Sequence, residues 1–288
     1  AMVARIKKAF PAIEELTAYT AADAPEVILK ARAENKVKVF KYVQQLVADA
    51  KAGKNTGLEV LVPEKTDLSH IKPEDLEDIP VINFVGRFVS QKGIDTFGES
   101  IKNLLRGWEQ KYPGKQKPII TIVGSDGEGG KFKKMLETLK NDLGEDSRQV
   151  VVLHGFGNAH IFQSSSDLFT VPSWFEPCGL TQGEAMAKGT LAVATKVGGL
   201  VDTIKDGVTG YLTKNVHIFD GTSETVSKMA ETYTEALSRG LSTFFNDRAK
   251  HHQMELAAIK EDFSWLQKAE DGIKGSITDY LDVFGIKL

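Results

Sequence analysis

The 288-residue sequence has one cysteine, no long apolar run and no excess of charge of one sign. The lone Cys178 has no partner for an internal disulfide, which fits the cytoplasm or another reducing compartment. No apolar run reaches the roughly 18 residues that a membrane-spanning helix needs, and no signal peptide is recognisable. The formal net charge is −3, with acidic and basic residues mixed along the chain. Without a basic stripe, the sequence gives no reason to expect nucleic-acid binding.

The sequence also lacks internal repeats, low-complexity stretches and any cluster of residues with metal-ligand spacing. We therefore expect neither a bound metal nor a cofactor. Hydrophobic residues make up 41% of the chain, enough for a sizeable buried core in one large domain or two small ones. The chain starts with Ala-Met, from which we expect the natural protein to extend further upstream.

The first 55 or so residues have a helical pattern. Asp23 is a candidate N-cap for a helix that accepts Pro25 in its first turn, and Gly53 and Gly57 are placed to end it. The last 60 or so residues, from Ser223, are also mostly helical in pattern. Residues 50–78 are rich in turn formers, and the sequence assigns them no role.

From Pro80 onward, five short apolar runs alternate with amphipathic helical patterns such as residues 94–108 and 131–143. The runs are VINFV (81–85), IITIV (119–123), VVVL (150–153), LFTV (168–171) and LAVA (191–194). Nearly continuous apolar runs are typical of parallel strands that are covered on both faces. The pattern predicts an α/β fold with a doubly wound parallel sheet, with residues 1–56 as a helical extension and residues 57–288 as a Rossmann-like domain.

In such a sheet, ligands bind beyond the carboxyl ends of the strands, where the strand order reverses. The first predicted strand is followed by GRFVSQKG (86–93), which places Arg87 and Lys92 beside two glycines and a helix start. This arrangement suits a diphosphate, although a surface loop with two solvated charges has the same pattern. The second strand is followed by GSDGEGG (124–130), which fits neither standard phosphate-loop spacing and is better interpreted as a turn.

The fourth strand is followed by the most informative loop, residues 171–187. Glu176 and Glu184 bracket a proline- and glycine-directed turn into a helix, whose amides would be free to bind an anion or sugar hydroxyls. These amides belong to Cys178, Gly179, Leu180 and Thr181. Because carboxylates accept hydrogen bonds from hydroxyls, the two acids favour a ligand that carries both phosphate and hydroxyl groups. After the next strand, Gly198 and Gly199 open another short helix.

These segments resemble those of bacterial glycogen synthases and plant starch synthases. FEPCGLTQ (175–182) is similar to their signature loop, GRFVSQKG (86–93) to their phosphate-binding segment, VGGLVDT (197–203) to their late glycine motif, and KARAENK (30–36) to the helix that opens their C-terminal domain. The resemblance covers about residues 30–211, with a weaker similarity at residues 263–265. It implies the C-terminal, nucleotide-sugar-binding domain of a retaining glycosyltransferase with the GT-B fold. Such enzymes bind an α-glucan acceptor in an N-terminal domain, which we expect to be absent from this chain.

The resemblance also implies roles for individual residues. Arg87 and Lys92 would neutralise the diphosphate of ADP-glucose or UDP-glucose, with Lys92 stabilising the leaving nucleotide, and Glu176 would bind hydroxyls of the transferred glucose. The amides of residues 178–181 would hold the distal phosphate and sugar hydroxyls. His154 lies where many relatives have an aromatic side chain that stacks on the base, but a core histidine at the end of a strand is an equally good interpretation.

One residue departs from the glycogen synthase pattern. Glycogen synthases usually lack an acid at the position of Glu184, whereas sucrose synthases and many bacterial transferases have one, which binds ribose. This departure leaves ADP-glucose and UDP-glucose both open as donors, and also the acceptor. The alternatives are a sucrose-synthase-like transferase and a nucleotide-sugar-binding module without catalytic activity.

Overall fold

A computed structural model describes residues 15–155 and 159–261, in which the core is a seven-stranded sheet. The strands are β1 (Glu59–Val60), β2 (Val81–Val85), β3 (Ile119–Gly124), β4 (Val150–His154), β5 (Leu168–Val171), β6 (Leu191–Ala194) and β7 (Gly210–Leu212). Their order across the sheet is β1-β4-β3-β2-β5-β6-β7. All neighbouring strands are parallel except β1, which pairs antiparallel with β4.

In chain order from β2, successive strands lie further from the centre of the sheet, first on one side and then on the other. Strands β2, β3 and β4 run towards one edge, after which the chain returns to place β5 beside β2. The reversal therefore lies between β2 and β5. This order confirms the predicted doubly wound sheet, and all five predicted strands are present. The two additional strands, β1 and β7, have only two and three residues, too few to give a pattern in the sequence.

The helices of the described residues lie between and beyond these strands. They are α1 (Pro25–Lys51), α2 (Ile94–Arg106), α3 (Trp108–Lys111), α4 (Lys131–Leu143), α5 (Ala159–Gln163), α6 (Leu180–Met186), α7 (Gly199–Thr203), α8 (Ser223–Asn246) and α9 (Arg248–Ile259). Within the described ranges, no helix has both the length and the apolar character needed to cross a bilayer.

The predicted N-cap of the first helix is wrong, although Pro25 lies in its first turn and the helix ends at Lys51, as predicted. Helix α1 begins at Pro25 with Ala24 as its N-cap, and residues 15–24 are not helical. The carboxylate of Asp23 accepts a hydrogen bond from the backbone N–H of Thr20, 2.6 Å away, and so stabilises the preceding turn. Residues 1–14 and the sequence similarity at residues 263–265 lie outside the described residues.

Each face of the sheet carries its own hydrophobic core, because alternate side chains of a strand point to opposite faces. In β4, Val150 and Val152 pack into one core and Val151 and Leu153 into the other. The first core is covered by α2, α4 and α8, and the second by α1 and α5. Burial on both faces is why these strands have continuous apolar sequences.

Residues 50–78, unassigned from the sequence, form the edge beside β4. Strand β1 and two 3₁₀ helices, Pro63–Lys65 and Pro73–Glu77, lie in this segment. The side chain of Lys140 in α4 is fully buried under it, and its Nζ donates hydrogen bonds to the carbonyl oxygens of Leu61 and Val62, 3.2 and 2.9 Å away. Burial lowers the pKa of Lys140 to about 8. The segment is therefore fixed to α4 by a buried lysine.

A buried ion pair fixes α1 to the amino-terminal edge of the sheet. Arg32 Nη2 lies 2.7 Å from Glu255 Oε1 in α9 and 3.1 Å from the carbonyl oxygen of Ser166. Burial alone would raise the pKa of Glu255, but the charge of Arg32 and a hydrogen bond with His252 hold that pKa well below its usual range. The pair stays ionised in the interior because each charge is directly compensated.

Replacing Arg32 by methionine is expected to lower the free energy of unfolding by about 3–5 kcal/mol, since Glu255 would keep a buried charge without its main partner. The matched control is Lys228→Met, which breaks the Lys228–Glu224 pair on the surface of α8. That change is expected to cost about 0.5 kcal/mol or less. Urea denaturation of both variants measures the difference, and equal effects would contradict a structural role for Arg32.

Candidate functional site

Three loops meet at the carboxyl edge of the sheet, beside the reversal between β2 and β5. They follow β2 (residues 86–93), β5 (172–179) and β6 (195–198). The backbone N–H of Trp174 donates to the carbonyl oxygen of Gln91, 3.0 Å away, and the Gln91 amide donates to that of Phe175, 2.7 Å away. The N–H of Gly199 donates to the carbonyl oxygen of Glu176 at 2.9 Å, so the loops form one connected unit.

Glycines allow this close approach. A Cβ atom on Gly93 would lie 1.9 Å from the carbonyl oxygen of Pro172, and one on Gly198 would lie 2.1 Å from that of Glu176. Both glycines also have positive φ angles, +64° and +46°. Any other residue would need an unfavourable backbone conformation and would also collide with the neighbouring loop. The predicted glycine pair Gly198 and Gly199 thus has a clear local role at the start of α7.

The central side chains of the site are Lys92 and Glu176. Lys92 Nζ lies 2.6 Å from Glu176 Oε2, and the hydroxyl of Ser173 donates to the same oxygen at 3.1 Å. Glu176 is 6% exposed, so its orientation is fixed by these two contacts. No described residue bonds its other oxygen, Oε1, or uses the remaining ammonium hydrogens of Lys92. The pair can therefore offer an acceptor and a cation to the same ligand.

Arg87 lies on the same loop as Lys92, as the sequence predicted. Unlike Lys92, it is not paired with a carboxylate of the described residues. Its side chain is exposed, and it forms no hydrogen bond or ion pair with any described residue. An unpaired guanidinium keeps five donors in a planar arrangement that matches phosphate oxygens. The loop after β2 therefore presents one fixed cation and one free cation at the edge where the strand order reverses.

Helix α6 begins where the loop after β5 ends, with Gly179 as its N-cap at a φ of +73°. The backbone N–H groups of residues 178–181 donate to no acceptor among the described residues. Cys178 and Leu180 are exposed, and Gly179 and Thr181 are partly exposed. The first turn of this short helix thus has unpaired donors next to Glu176, as the sequence predicted.

Glu184 lies on α6, and its side chain is exposed. Its Oε2 accepts a hydrogen bond from the amide of Gln163 at the end of α5, 3.1 Å away. The Gln163 Oε1 in turn accepts from Lys188 Nζ at 2.8 Å, and burial lowers the pKa of Lys188 to about 8. Sequence reasoning missed Gln163 and Lys188, because neither belongs to a recognisable motif.

His154 lies at the carboxyl end of β4 with both ring nitrogens engaged. The backbone N–H of Asp126 donates to Nε2 at 3.3 Å, so the ring proton is on Nδ1, which lies 3.2 Å from Glu59 Oε2. A hydrogen bond from Lys133 lowers the pKa of Glu59 and keeps it ionised. The ring packs at a tilt against Phe88, with 6.2 Å between centroids. Its contact with a nucleotide base stays a prediction.

The glycine-rich stretch after β3 forms a turn that is held in place by the side chain of Asp126. The carboxylate of Asp126 accepts hydrogen bonds from the backbone N–H groups of Glu128 and Lys133, at 2.7 and 2.8 Å. A Cβ atom on Gly124 would lie 1.8 Å from the carbonyl oxygen of Gly86, so this glycine serves the packing of two strand ends. These contacts favour the turn over the phosphate cradle.

A second polar region lies at the opposite, amino-terminal edge of the sheet. A cavity of about 430 Å³ is lined there by Arg32, Lys36, Asp167 and Glu255, among others. Asp167, His251 and Glu255 also have ligand-type atoms within 4.8 Å of one another, the one such group found among the described residues. Lys36 and Arg32, however, each lie 2.7 Å from one of these carboxylates. The charges at this edge are thus compensated internally, unlike those at the carboxyl edge.

Comparison with known proteins identifies a family for this chain. The family described as glycosyl transferases group 1 matches residues 66–261. Granule-bound starch synthase 1 of Manihot esculenta is 34% identical over 188 residues, which are 65% of this chain and 28% of that protein. A glycogen synthase of Thermodesulfovibrio yellowstonii is 32% identical over 200 residues, which are 68% of this chain and 34% of that protein. The chain spans about a third of the length of these curated relatives.

Among solved structures, the catalytic domain of Starch Synthase IV from Arabidopsis thaliana, bound to ADP and acarbose, has the same fold. The TM-score is 0.64 at 22% sequence identity, and the match covers 97% of this chain and 47% of that chain. This likeness confirms the predicted Rossmann-like, GT-B type of architecture.

Replacing Gly93 by alanine is expected to lower the midpoint of thermal unfolding and to disrupt the site, because the new methyl group would collide with Pro172. The cost should exceed 2 kcal/mol, about the level of an overpacked core position. Gly114→Ala is the matched control, since Gly114 has a similar φ of +69° and nothing within 4 Å of its Cβ position. Equal losses of stability in the two variants would show that backbone conformation alone accounts for the effect.

Proposed function

Because the chain belongs to the glycosyl transferases group 1 family, we propose that it is the donor-binding domain of a retaining glucosyltransferase of the glycogen or starch synthase type. The donor is ADP-glucose or UDP-glucose, and the acceptor is an α-glucan. One observation carries the proposal: Lys92, Glu176 and the unpaired amides of α6 lie together where the strand order reverses. The cation and the amides suit the phosphates of a sugar diphosphate, and the hydrogen-bond acceptor suits the hydroxyls of its sugar.

The phosphate side of the donor is assigned to cations and amides. Arg87 offers a planar set of hydrogen-bond donors, and Lys92 offers the ammonium hydrogens that Glu176 leaves unused. The α6 amides can donate hydrogen bonds to an anion although they carry no formal charge. These fixed donors stabilise the charge that grows on the diphosphate as the bond to the sugar breaks. Nucleotide binding is therefore expected to persist in the presence of a chelator.

The sugar side is assigned to Glu176. Its Oε2 is held by Lys92 and Ser173, which leaves Oε1 to accept hydrogen bonds from hydroxyls of the glucose. In the reaction, the bond between the anomeric carbon and the phosphate oxygen breaks, and its electron pair stays on the nucleoside diphosphate. The acceptor hydroxyl attacks from the same face and passes its proton to the departing phosphate oxygen, which retains the configuration.

The acceptor would be bound by a second domain facing this edge. Large apolar side chains are exposed beside the site, which is typical of a surface that contacts another body. They belong to Phe175, Leu180, Val201, Ile218 and Phe219, all in segments that follow the carboxyl ends of β5, β6 or β7. We infer that such a domain completes the cleft in the natural protein, and that the enzyme works in a reducing compartment such as the cytoplasm.

Glu184 supports a second candidate, a transferase of the sucrose synthase type with a different acceptor. Its carboxylate lies on α6 with one oxygen free of the described residues. By the resemblance, sucrose synthases and many bacterial transferases have a ribose-binding acid at this position, whereas glycogen synthases usually lack one. Acceptor screening with glycogen and with small sugars separates the two candidates, and binding of the donor without transfer to any acceptor would favour a non-catalytic module.

Replacing Arg87 by alanine is expected to weaken the binding of ADP or UDP by at least about tenfold, since a charge-assisted hydrogen bond contributes about 1.5–3 kcal/mol. Thermal stability should not change, because Arg87 bonds no described residue. Titration calorimetry measures the affinity, and Arg106→Ala, which removes an exposed arginine from the end of α2, is the control. Unchanged affinity in Arg87→Ala would remove this residue from the phosphate site.

The isolated chain is expected to transfer no glucose to glycogen, whereas a longer protein with an acceptor domain should do so and should require Glu176. Holding donor and acceptor together supplies roughly 7–11 kcal/mol of the barrier, and one wall of a cleft cannot provide it. In the longer protein, Glu176→Gln should lower kcat more than it raises KM, because its contacts strengthen as the ring distorts. Transfer of radiolabelled glucose measures both. Rapid transfer by the isolated chain would contradict the need for a second domain.

A further inference from the structure

Gln163 connects Glu184 to the rest of the fold. It is the last residue of α5 and is fully buried, whereas Glu184 is exposed on α6. Its Nε2 lies 3.1 Å from Glu184 Oε2 and 3.4 Å from the carbonyl oxygen of Thr181. An exposed glutamate would otherwise sample several rotamers, and fixing one of them on ligand binding would have an entropic cost. The amide therefore selects one position of the Glu184 carboxylate before any ligand arrives.

Lys188 determines which way the Gln163 amide points. Lys188 Nζ lies 2.8 Å from Gln163 Oε1 and 2.9 Å from the carbonyl oxygen of Glu184. An ammonium group only donates hydrogen bonds, so it must face the oxygen of the amide. The NH₂ group must then face Glu184, which only accepts. If the amide were flipped, its NH₂ group would face the Lys188 ammonium and its oxygen would face the Glu184 carboxylate. Neither contact could then be a hydrogen bond.

The backbone around both residues is also fixed. The hydroxyl of Thr190 donates to the carbonyl oxygen of Gln163 at 2.5 Å, and the hydroxyl of Tyr19 donates to that of Lys188 at 2.8 Å. Arg32 donates to the same carbonyl of Lys188. The chain from Lys188 through Gln163 to Glu184 is therefore supported at its buried end and leaves one polar atom, Glu184 Oε1, without a described partner.

We propose that Gln163, oriented by Lys188, is a positioning residue that makes this site prefer nucleotides with ribose hydroxyls to nucleotides that lack them. It holds Glu184 Oε2 so that Oε1 accepts hydrogen bonds from the ribose hydroxyls of a nucleoside diphosphate. The inference rests on the proposed function, since it requires the nucleotide to bind along α6. When a nucleotide lacks these hydroxyls, the preorganised carboxylate oxygen has no partner. This loss weakens the binding of that nucleotide relative to one that carries the hydroxyls.

The experiment compares the affinities of ADP and UDP with those of their 2′,3′-dideoxy counterparts, by calorimetry at pH 7 on the full chain. The parent is expected to bind the better ribonucleotide at least about tenfold more tightly than its dideoxy form. Gln163→Glu keeps the shape and the acceptor for Lys188 but removes the donor to Glu184. It should reduce this ratio to near one without changing the affinity for the dideoxy form.

Two further variants keep the test independent of folding. Lys188→Met, which frees the amide to flip, should also lower the ratio, and in a Glu184→Ala background Gln163→Glu should have no additional effect. Gln45→Glu is the matched control, since Gln45 forms an equivalent amide–carboxylate contact with Asp49 on the surface of α1, 2.9 Å long. It should leave the ratio unchanged.

The outcomes separate this inference from the proposed function. If the parent binds both forms equally well, or if Gln163→Glu lowers the ratio equally with and without Glu184, the positioning role is wrong while diphosphate binding stands. If the folded parent binds none of the four nucleotides at millimolar concentration, the proposed function fails and the positioning role fails with it.

Discussion

Close backbone contact between loops is the constraint on which the site depends. The loop after β2 and the loop after β6 both approach the loop after β5 so closely that Gly93 and Gly198 have no space for a Cβ atom. This contact places Lys92 against Glu176, two residues that are far apart in the sequence. A rigid arrangement of loops, rather than the orientation of single side chains, is what allows a charge pair to be held ready for a ligand.

The two edges of the sheet use similar residues for opposite purposes. At the amino-terminal edge, the buried Arg32 and the largely buried Lys36 are directly paired with Glu255 and Asp167, so their charges are compensated within the fold. At the carboxyl edge, Arg87 has no described partner and the first amides of α6 are unpaired. Charges that are compensated internally are not available to a substrate, whereas donors left over at a strand reversal are available to one.

The site has a supporting layer behind the two acids that we assign to ligand binding. Ser173 fixes the carboxylate of Glu176, and Gln163 with Lys188 fixes that of Glu184. In both cases one carboxylate oxygen is held by the protein and the other has no described partner. The same device at two acids gives the site two oriented acceptors, which suits a ligand with hydroxyl groups on both sides of a diphosphate.

Much of the fold was predictable from the sequence, for local reasons. A strand buried on both faces needs a continuous apolar run, so LFTV (168–171) and the four similar runs identified the sheet directly. Strand β1, with two residues, and the N-cap of α1 were not predictable, because a short edge strand has no periodicity and Asp23 had a competing turn to stabilise.

The sequence by itself determined which residue types meet at the carboxyl edge, since glycine and proline constrain the backbone locally and strand ends are marked by the apolar runs. It therefore predicted Arg87, Lys92, Glu176 and the α6 amides as neighbours. Only the tertiary structure decided which of them are free. Lys92 is paired and Arg87 is not, His154 is engaged by Asp126 and Glu59, and Gln163 reaches Glu184 from another helix. Pairing depends on contacts between distant segments, and no local pattern encodes them.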